Sequence, residues 1–142
     1  MISWPGRGRR SAATASSAWG RAPSRCRVAI THGSAPGPVL AVTAGIHGAE
    51  YVPIVAVRQF IRDLDPAQMR GTIVACLQSS PAAFQERPAF VNPLDGQNLN
   101  RCFPGHAGGG PTARLAAWLW ENLLARADYY VDCHCGDFPR DA

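Results

Sequence analysis

His47 and Glu50, three positions apart in GIHGAE, and His134, in VDCHC, are the residues of this sequence whose types and spacing could hold a metal ion. Imidazole nitrogens and carboxylate oxygens are both good ligands for Zn²⁺. Two histidines and one carboxylate leave a fourth tetrahedral position for water, the arrangement of a catalytic rather than a structural zinc site. A His-x-x-Glu pair alone is weak evidence, and it is His134 that gives it weight. Three ligands of one ion should stand within roughly 3 to 5 Å of each other, given metal–ligand bonds near 2 Å. On strand alternation Asp132 shares a face with His134 and is expected to accept a hydrogen bond from its ring, outside the ligand set. Cys133 and Cys135 then point the other way and read as small buried apolar residues. Asn98, Asn100 and Arg101, in QNLNRCFPG, offer a neutral donor beside a guanidinium that can grip a carboxylate bidentately, which is what an anionic substrate needs.

The elements that must position these residues can be read from the patterning. Cys26 to Thr31 and Pro38 to Gly45 are short β-branched and apolar runs on either side of a turn-forming HGSAPG segment, and read as two strands joined by a turn. His47 and Glu50 come directly after the second strand, with glycines at 45 and 48 that let the backbone turn tightly beside a bulky ion. Tyr51 to Leu64 then reads as a helix through Val52, Val55, Ala56, Gln59, Phe60 and Asp63, with Pro53 in its first turn and Asp65-Pro66 ending it. Gly71 to Leu77 is a continuous apolar run, the form of a strand buried on both faces. Ser79 to Pro111, rich in Pro, Gly and Asn, reads as a long functional surface loop. Thr112 to Ala127 is a helix with Thr112 as its N-cap, and Asp128 to Cys135 a final strand. Alternating strands and helices predict βαβ units, in which ligands collect at the carboxyl ends of strands. The fold class is therefore α/β, a mixed and largely parallel sheet flanked by helices.

Composition narrows the partners. The formal charge of +4 is local, because Met1 to Arg27 carries six arginines and no acid. That segment, 1–27, reads as a disordered Arg-rich leader, and 28–142 as the folded part. No apolar run reaches the roughly 18 residues of a membrane span, and no secretory h-region is present. Five cysteines without regular spacing suit reduced thiols and a cytoplasmic setting.

GIHGAE, VNPLDGQNLNRCFPG and ADYYVDCHCGD together, in order and approximate spacing from about Gly33 to Asp137, resemble the succinylglutamate desuccinylase/aspartoacylase branch of the zinc carboxypeptidase superfamily. The resemblance implies one Zn²⁺ held by His47, Glu50 and His134, substrate contacts from Asn100 and Arg101, and supporting contacts from Asn98. It also implies hydrolysis of the amide bond of an N-acylated amino acid or similar small molecule. Arg87, in FQERPAF, matches an arginine that polarises the scissile carbonyl in relatives. The family commonly has Leu before the last histidine where this chain has Cys133. Its members carry further strands and a general-base glutamate beyond that histidine, whereas only Asp137 and Asp141 come after His134 here. The expectation is thus a carboxypeptidase-like catalytic portion truncated at the C-terminus, without its general base, and able to self-associate through an exposed sheet edge.

The alternative is a non-catalytic zinc-binding fragment of such an enzyme. Two other readings, a thiol site at Cys133-His134-Cys135 and a nucleic-acid contact through the basic leader, explain neither GIHGAE nor NLNR.

Overall fold

The computed structural model of the chain describes residue 8 and residues 10–17 and 24–136. Among the described residues five strands, β1 (Arg10–Ser17), β2 (Ser24–His32), β3 (Ala35–Ala44), β4 (Arg70–Cys76) and β5 (Tyr129–Cys133), form one sheet in the order β1-β2-β4-β3-β5. β3 pairs in parallel with β4 on one side and with β5 on the other. β2 runs antiparallel to β4, and β1 antiparallel to β2. The sheet is mixed, and its parallel part carries the residues of interest. The helices are α1 (Tyr51–Asp63), α2 (Pro81–Glu86) and α3 (Pro111–Asn122).

Alternation along the strands divides the core between the two faces. Cys26, Val28, Ile30, Val74 and Cys76 pack with Leu115, Leu119 and Leu123 on the α3 side. Val42, Ala44 and Ala75 pack with Val57 of α1 on the other, joined by Ile54, Ile61 and Cys133. Each fully buried leucine in such a layer stabilises the fold by about 1.5–3 kcal/mol. β5 is an edge strand with Tyr129, Tyr130 and Val131 exposed. Leu40, Val42, Ala56, Val57, Phe60, Val131 and Cys133 line an apolar groove beside it.

Several expectations are corrected. β2 and β3 are consecutive but not neighbours, because β4 inserts between them, and the turn shrinks to Gly33–Ser34. Val52, Val55, Ala56, Gln59, Phe60 and Asp63 all lie on the exposed side of α1, and the buried stripe runs through Pro53, Ile54, Val57 and Ile61. A helix apolar on two sides has no unique face until the sheet supplies one. Residues 79–111 are far from a plain surface loop: they hold α2, a 3₁₀ turn at Leu99–Arg101, and buried Ser79, Ser80, Asn92 and Leu99. Thr112 is not an N-cap; Gly110 holds that position and Pro111 opens the helix. α3 also stops at Asn122, and a 3₁₀ turn comes after it at Leu124–Arg126. Within the Arg-rich leader, Arg10–Ser17 forms β1 where disorder was expected, while 1–7 and 18–23 lie outside the described residues, as do Asp137 and Asp141.

Candidate metal centre

β3 and β5 are parallel neighbours, with Ala44 opposite Cys133, so both chains leave the sheet at the same edge. Beyond Ala44 the backbone turns tightly. Gly45 takes φ +67°, a left-handed conformation, and a Cβ there would press on Ile54 at 2.8 Å. Gly48 is needed for a different reason, since its φ is not positive and a Cβ would collide with the carbonyl groups of Ala83 and Pro88. Between them Ile46 is anchored in the core. His47 and Glu50 are thereby turned inward, each only 8% exposed. Glu50 is the N-cap residue of α1 but makes no side-chain cap bond, and both its oxygens turn to histidines instead.

The first residue beyond β5 is His134, and one ligand atom from each of His47, Glu50 and His134 falls within 4.8 Å of the other two. The hydrogen-bond pattern around these atoms is specific. Glu50 Oε1 lies 3.0 Å from His47 Nδ1, and Glu50 Oε2 lies 2.9 Å from His134 Nδ1. On the far side of each ring, Nε2 meets another oxygen: Asp132 Oδ2 at 2.7 Å from His134, and Asn98 Oδ1 at 3.3 Å from His47. An ionised carboxylate only accepts, so His134 Nε2 donates to Asp132. Asn98 Oδ1 already accepts the Asn100 amide at 2.9 Å, so His47 Nε2 donates as well.

The two Nδ1 atoms are left facing a carboxylate. With a proton already on Nε2, a neutral ring turns a lone pair at Nδ1 toward an oxygen of Glu50, and two lone pairs at about 3 Å repel. Either each ring takes a second proton or a cation stands between the three groups. Burial opposes charge on the His134 ring, but the hydrogen bond and charge of Asp132, with those of Glu50, outweigh it and raise its pKa. Cation-favouring electrostatics and a donor set of two imidazoles and one carboxylate fit a divalent metal of the Zn²⁺ type.

Asn100 is half-buried beside Asn98, while Arg101 is exposed and donates from Nη1 to the Asn100 carbonyl at 3.3 Å. Arg87, exposed at the end of α2 with φ 60°, sets its guanidinium 5.9 Å from the centre of the Tyr51 ring. Cys133 packs on the α1 face, away from Asp132. Three residues were not anticipated. Phe90 stands edge-on to His47, ring centres 5.5 Å apart, and is 46% exposed at the rim. Thr43, fully buried, donates to Asp132 Oδ1 at 2.6 Å, and the Tyr130 hydroxyl lies 2.7 Å from Thr43. The pairing of Thr43 with Asp132 across β3 and β5 is legible once the register is known, and not before.

Sequence and fold both match known proteins. The succinylglutamate desuccinylase/aspartoacylase catalytic domain matches residues 36–141. N-alpha-acetyl-L-2,4-diaminobutyric acid deacetylase of Halomonas elongata is 34% identical over 101 residues, 70% of this chain and 29% of that protein. A succinylglutamate desuccinylase/aspartoacylase from Rhodobacter sphaeroides superposes with a TM-score of 0.83 at 29% identity, over 94% of this chain and 42% of that one. The product-bound ectoine utilization protein EutE (DoeB) from Ruegeria pomeroyi gives 0.80 at 27% identity, over 95% and 42%. The chain thus spans less than half the length of each of these proteins.

Proposed function

The chain belongs to the succinylglutamate desuccinylase/aspartoacylase family, and we propose that its chemistry is zinc-dependent hydrolysis of the amide bond of an N-acylated amino acid. The observation that carries this reading is the convergence of His47 Nδ1, His134 Nδ1 and both Glu50 oxygens, with Asn98 and Asp132 fixing the far side of each ring. These three residues would hold one Zn²⁺. When bound, Zn²⁺ supplies Lewis acidity toward water and an amide carbonyl.

The rest of the chemistry falls to side chains. Asp132 and Asn98 keep the imidazole protons on Nε2, so that Nδ1 remains available. Arg101, with Asn100, holds the free carboxylate of the substrate, and Arg87 steadies the scissile carbonyl. Asp132 is divided between Thr43 and His134, and Glu50 between two rings. Neither of these carboxylates is therefore assigned the role of proton acceptor. The named activity of the Halomonas relative suggests the acyl group, and makes Nα-acetyl-2,4-diaminobutyrate the first compound to try.

Titration calorimetry of the purified chain with zinc should give one site, lost in His47→Ala and His134→Ala. Zinc-loaded chain is then assayed on N-acetyl and N-succinyl amino acids beside the Halomonas deacetylase. Failure to bind zinc would end the reading. The engagement of both carboxylates favours a second one, a zinc-binding chain that turns over slowly. Loss of a positioned general base lowers rates by about 10²- to 10⁴-fold, so a rate equal to the relative's would exclude that second reading.

A further inference from the structure

Beyond Asp132 the hydrogen bonds continue in one direction. The Thr43 hydroxyl has one proton, and it goes to Asp132 Oδ1 at 2.6 Å, since a carboxylate can only accept. The Tyr130 hydroxyl, 2.7 Å from Thr43 Oγ1, must then be the donor in that contact. The chain runs Tyr130 to Thr43 to Asp132, and His134 Nε2 donates to the other carboxylate oxygen at 2.7 Å. Thr43 is fully buried on β3, between β4 and β5, and paired in register with Asp132 of β5, so its position is set by the strand pairing itself.

We infer that Thr43 and Tyr130 are positioning residues for His134: they hold Asp132 in the orientation that keeps the His134 proton on Nε2 and presents Nδ1 to the site. A carboxylate on an edge strand can rotate about two torsions, and a partner on each oxygen removes that freedom. With one oxygen tied to Thr43, the other stays aimed at the ring. The inference rests on the reading of His47, Glu50 and His134 as zinc ligands. It concerns the residues behind them, which touch neither metal nor substrate.

The test uses the 142-residue chain with two readouts. One is zinc affinity by competition with a chelator. The other, taken without metal, is the ¹H and ¹⁵N chemical-shift pattern of the His134 ring, in which the Nε2–H signal reports the hydrogen bond to Asp132. Thr43→Val keeps the volume and loses the hydroxyl, and should weaken zinc binding about tenfold, the lower end of the effect of removing an outer hydrogen-bonding partner. It should also move the Nε2–H signal of His134 upfield, as the bond to Asp132 loosens. Thr43→Ser, which restores the hydroxyl, should return both readouts to the wild-type values. Unchanged affinity and an unchanged ring pattern in Thr43→Val would overturn the inference. So would equal losses in Thr43→Val and Thr43→Ser. Should Thr43→Val not fold, Tyr130→Phe decides, because its side chain is 42% exposed and its loss leaves the core intact. A two- to threefold weaker zinc affinity with a perturbed ring pattern supports the relay, and wild-type values refute it. A wild-type chain that takes up no zinc would defeat the reading of the ligands, while the metal-free ring pattern would still judge the relay.

Discussion

Asp95 caps α3 from 17 positions away: its Oδ2 accepts the Thr112 amide at 2.9 Å and its Oδ1 the Thr112 hydroxyl at 2.6 Å. Thr112 has the residue type of a cap but is a buried second-position residue whose needs are met by another segment. The negative charge at the positive end of the helix adds to the effect. Because this contact joins the loop bearing Asn98 to the helix that covers the sheet, Asp95→Ala should cost about 2 kcal/mol, the scale of a lost cap with a charged partner. Urea unfolding should show a lower midpoint at unchanged slope, and Asp95→Asn should lose less.

Gly48→Ala should damage the centre without touching a ligand. The added methyl would stand 2.7 Å from the Pro88 carbonyl oxygen and closer still to that of Ala83, so α2 or the His47 turn must shift. A loss of at least about 2 kcal/mol of stability is expected from such overpacking. Zinc affinity should fall with it, and Gly45→Ala should be similarly harmful through its left-handed φ.

Arg101→Ala should separate substrate recognition from metal binding. If the guanidinium holds the free carboxylate, calorimetry on the zinc-loaded chain should show binding of an N-acetyl amino acid weakened by about 2 kcal/mol, the scale of one charge-assisted contact. The corresponding amino-acid amide should bind both proteins equally, and zinc affinity should be unchanged. Equal losses for acid and amide would remove Arg101 from that role.

Tyr130 should be visible in alkaline titration. Burial, with the nearby Asp132 charge, pushes its hydroxyl up to about 12. A folded pKa above the unfolded value of about 10 means that the group stabilises the fold fully below pH 10, and that this is lost as pH rises from 10 to 12. Ultraviolet difference titration should find one tyrosine ionising near pH 12, absent in Tyr130→Phe. The stability of the variant should fall less steeply across that window.

The meeting of His47, Glu50 and His134 was legible because it depends on strand ends: GIHGAE after one strand and His134 after another need only parallel neighbours to meet. Asp132 was legible from alternation alone, two positions before His134 on the same face. Thr43 and Tyr130 were not, because their role depends on register, and register is set by pairing across residues nearly 90 positions apart. The face of α1 was misread for a related reason. Val52, Val55 and Phe60 are as apolar as Ile54, Val57 and Ile61, and only contact with β3 and β5 decides between them. Asp95 escaped notice because an acidic residue in a loop shows no sign that it caps a distant helix.

Among the described residues β5 is tied to the sheet through β3 alone, and its outer side is open. Yet it delivers His134, while His47 and Glu50 stand on the tight turn after β3. β5 is therefore a piece that can detach by local opening that leaves the α3 side of the core closed. An ion shared between the turn and the residue after β5 would act as a clasp on that strand. At a free concentration a hundred times its dissociation constant it would add about 2.7 kcal/mol to whatever holds β5 down. Amide hydrogens bonded between β3 and β5 would then slow by about a hundredfold on adding zinc, provided they exchange by this opening, while those bonded between β2 and β4 would not. Occupancy of the site becomes a measure of how often the edge of the sheet comes undone.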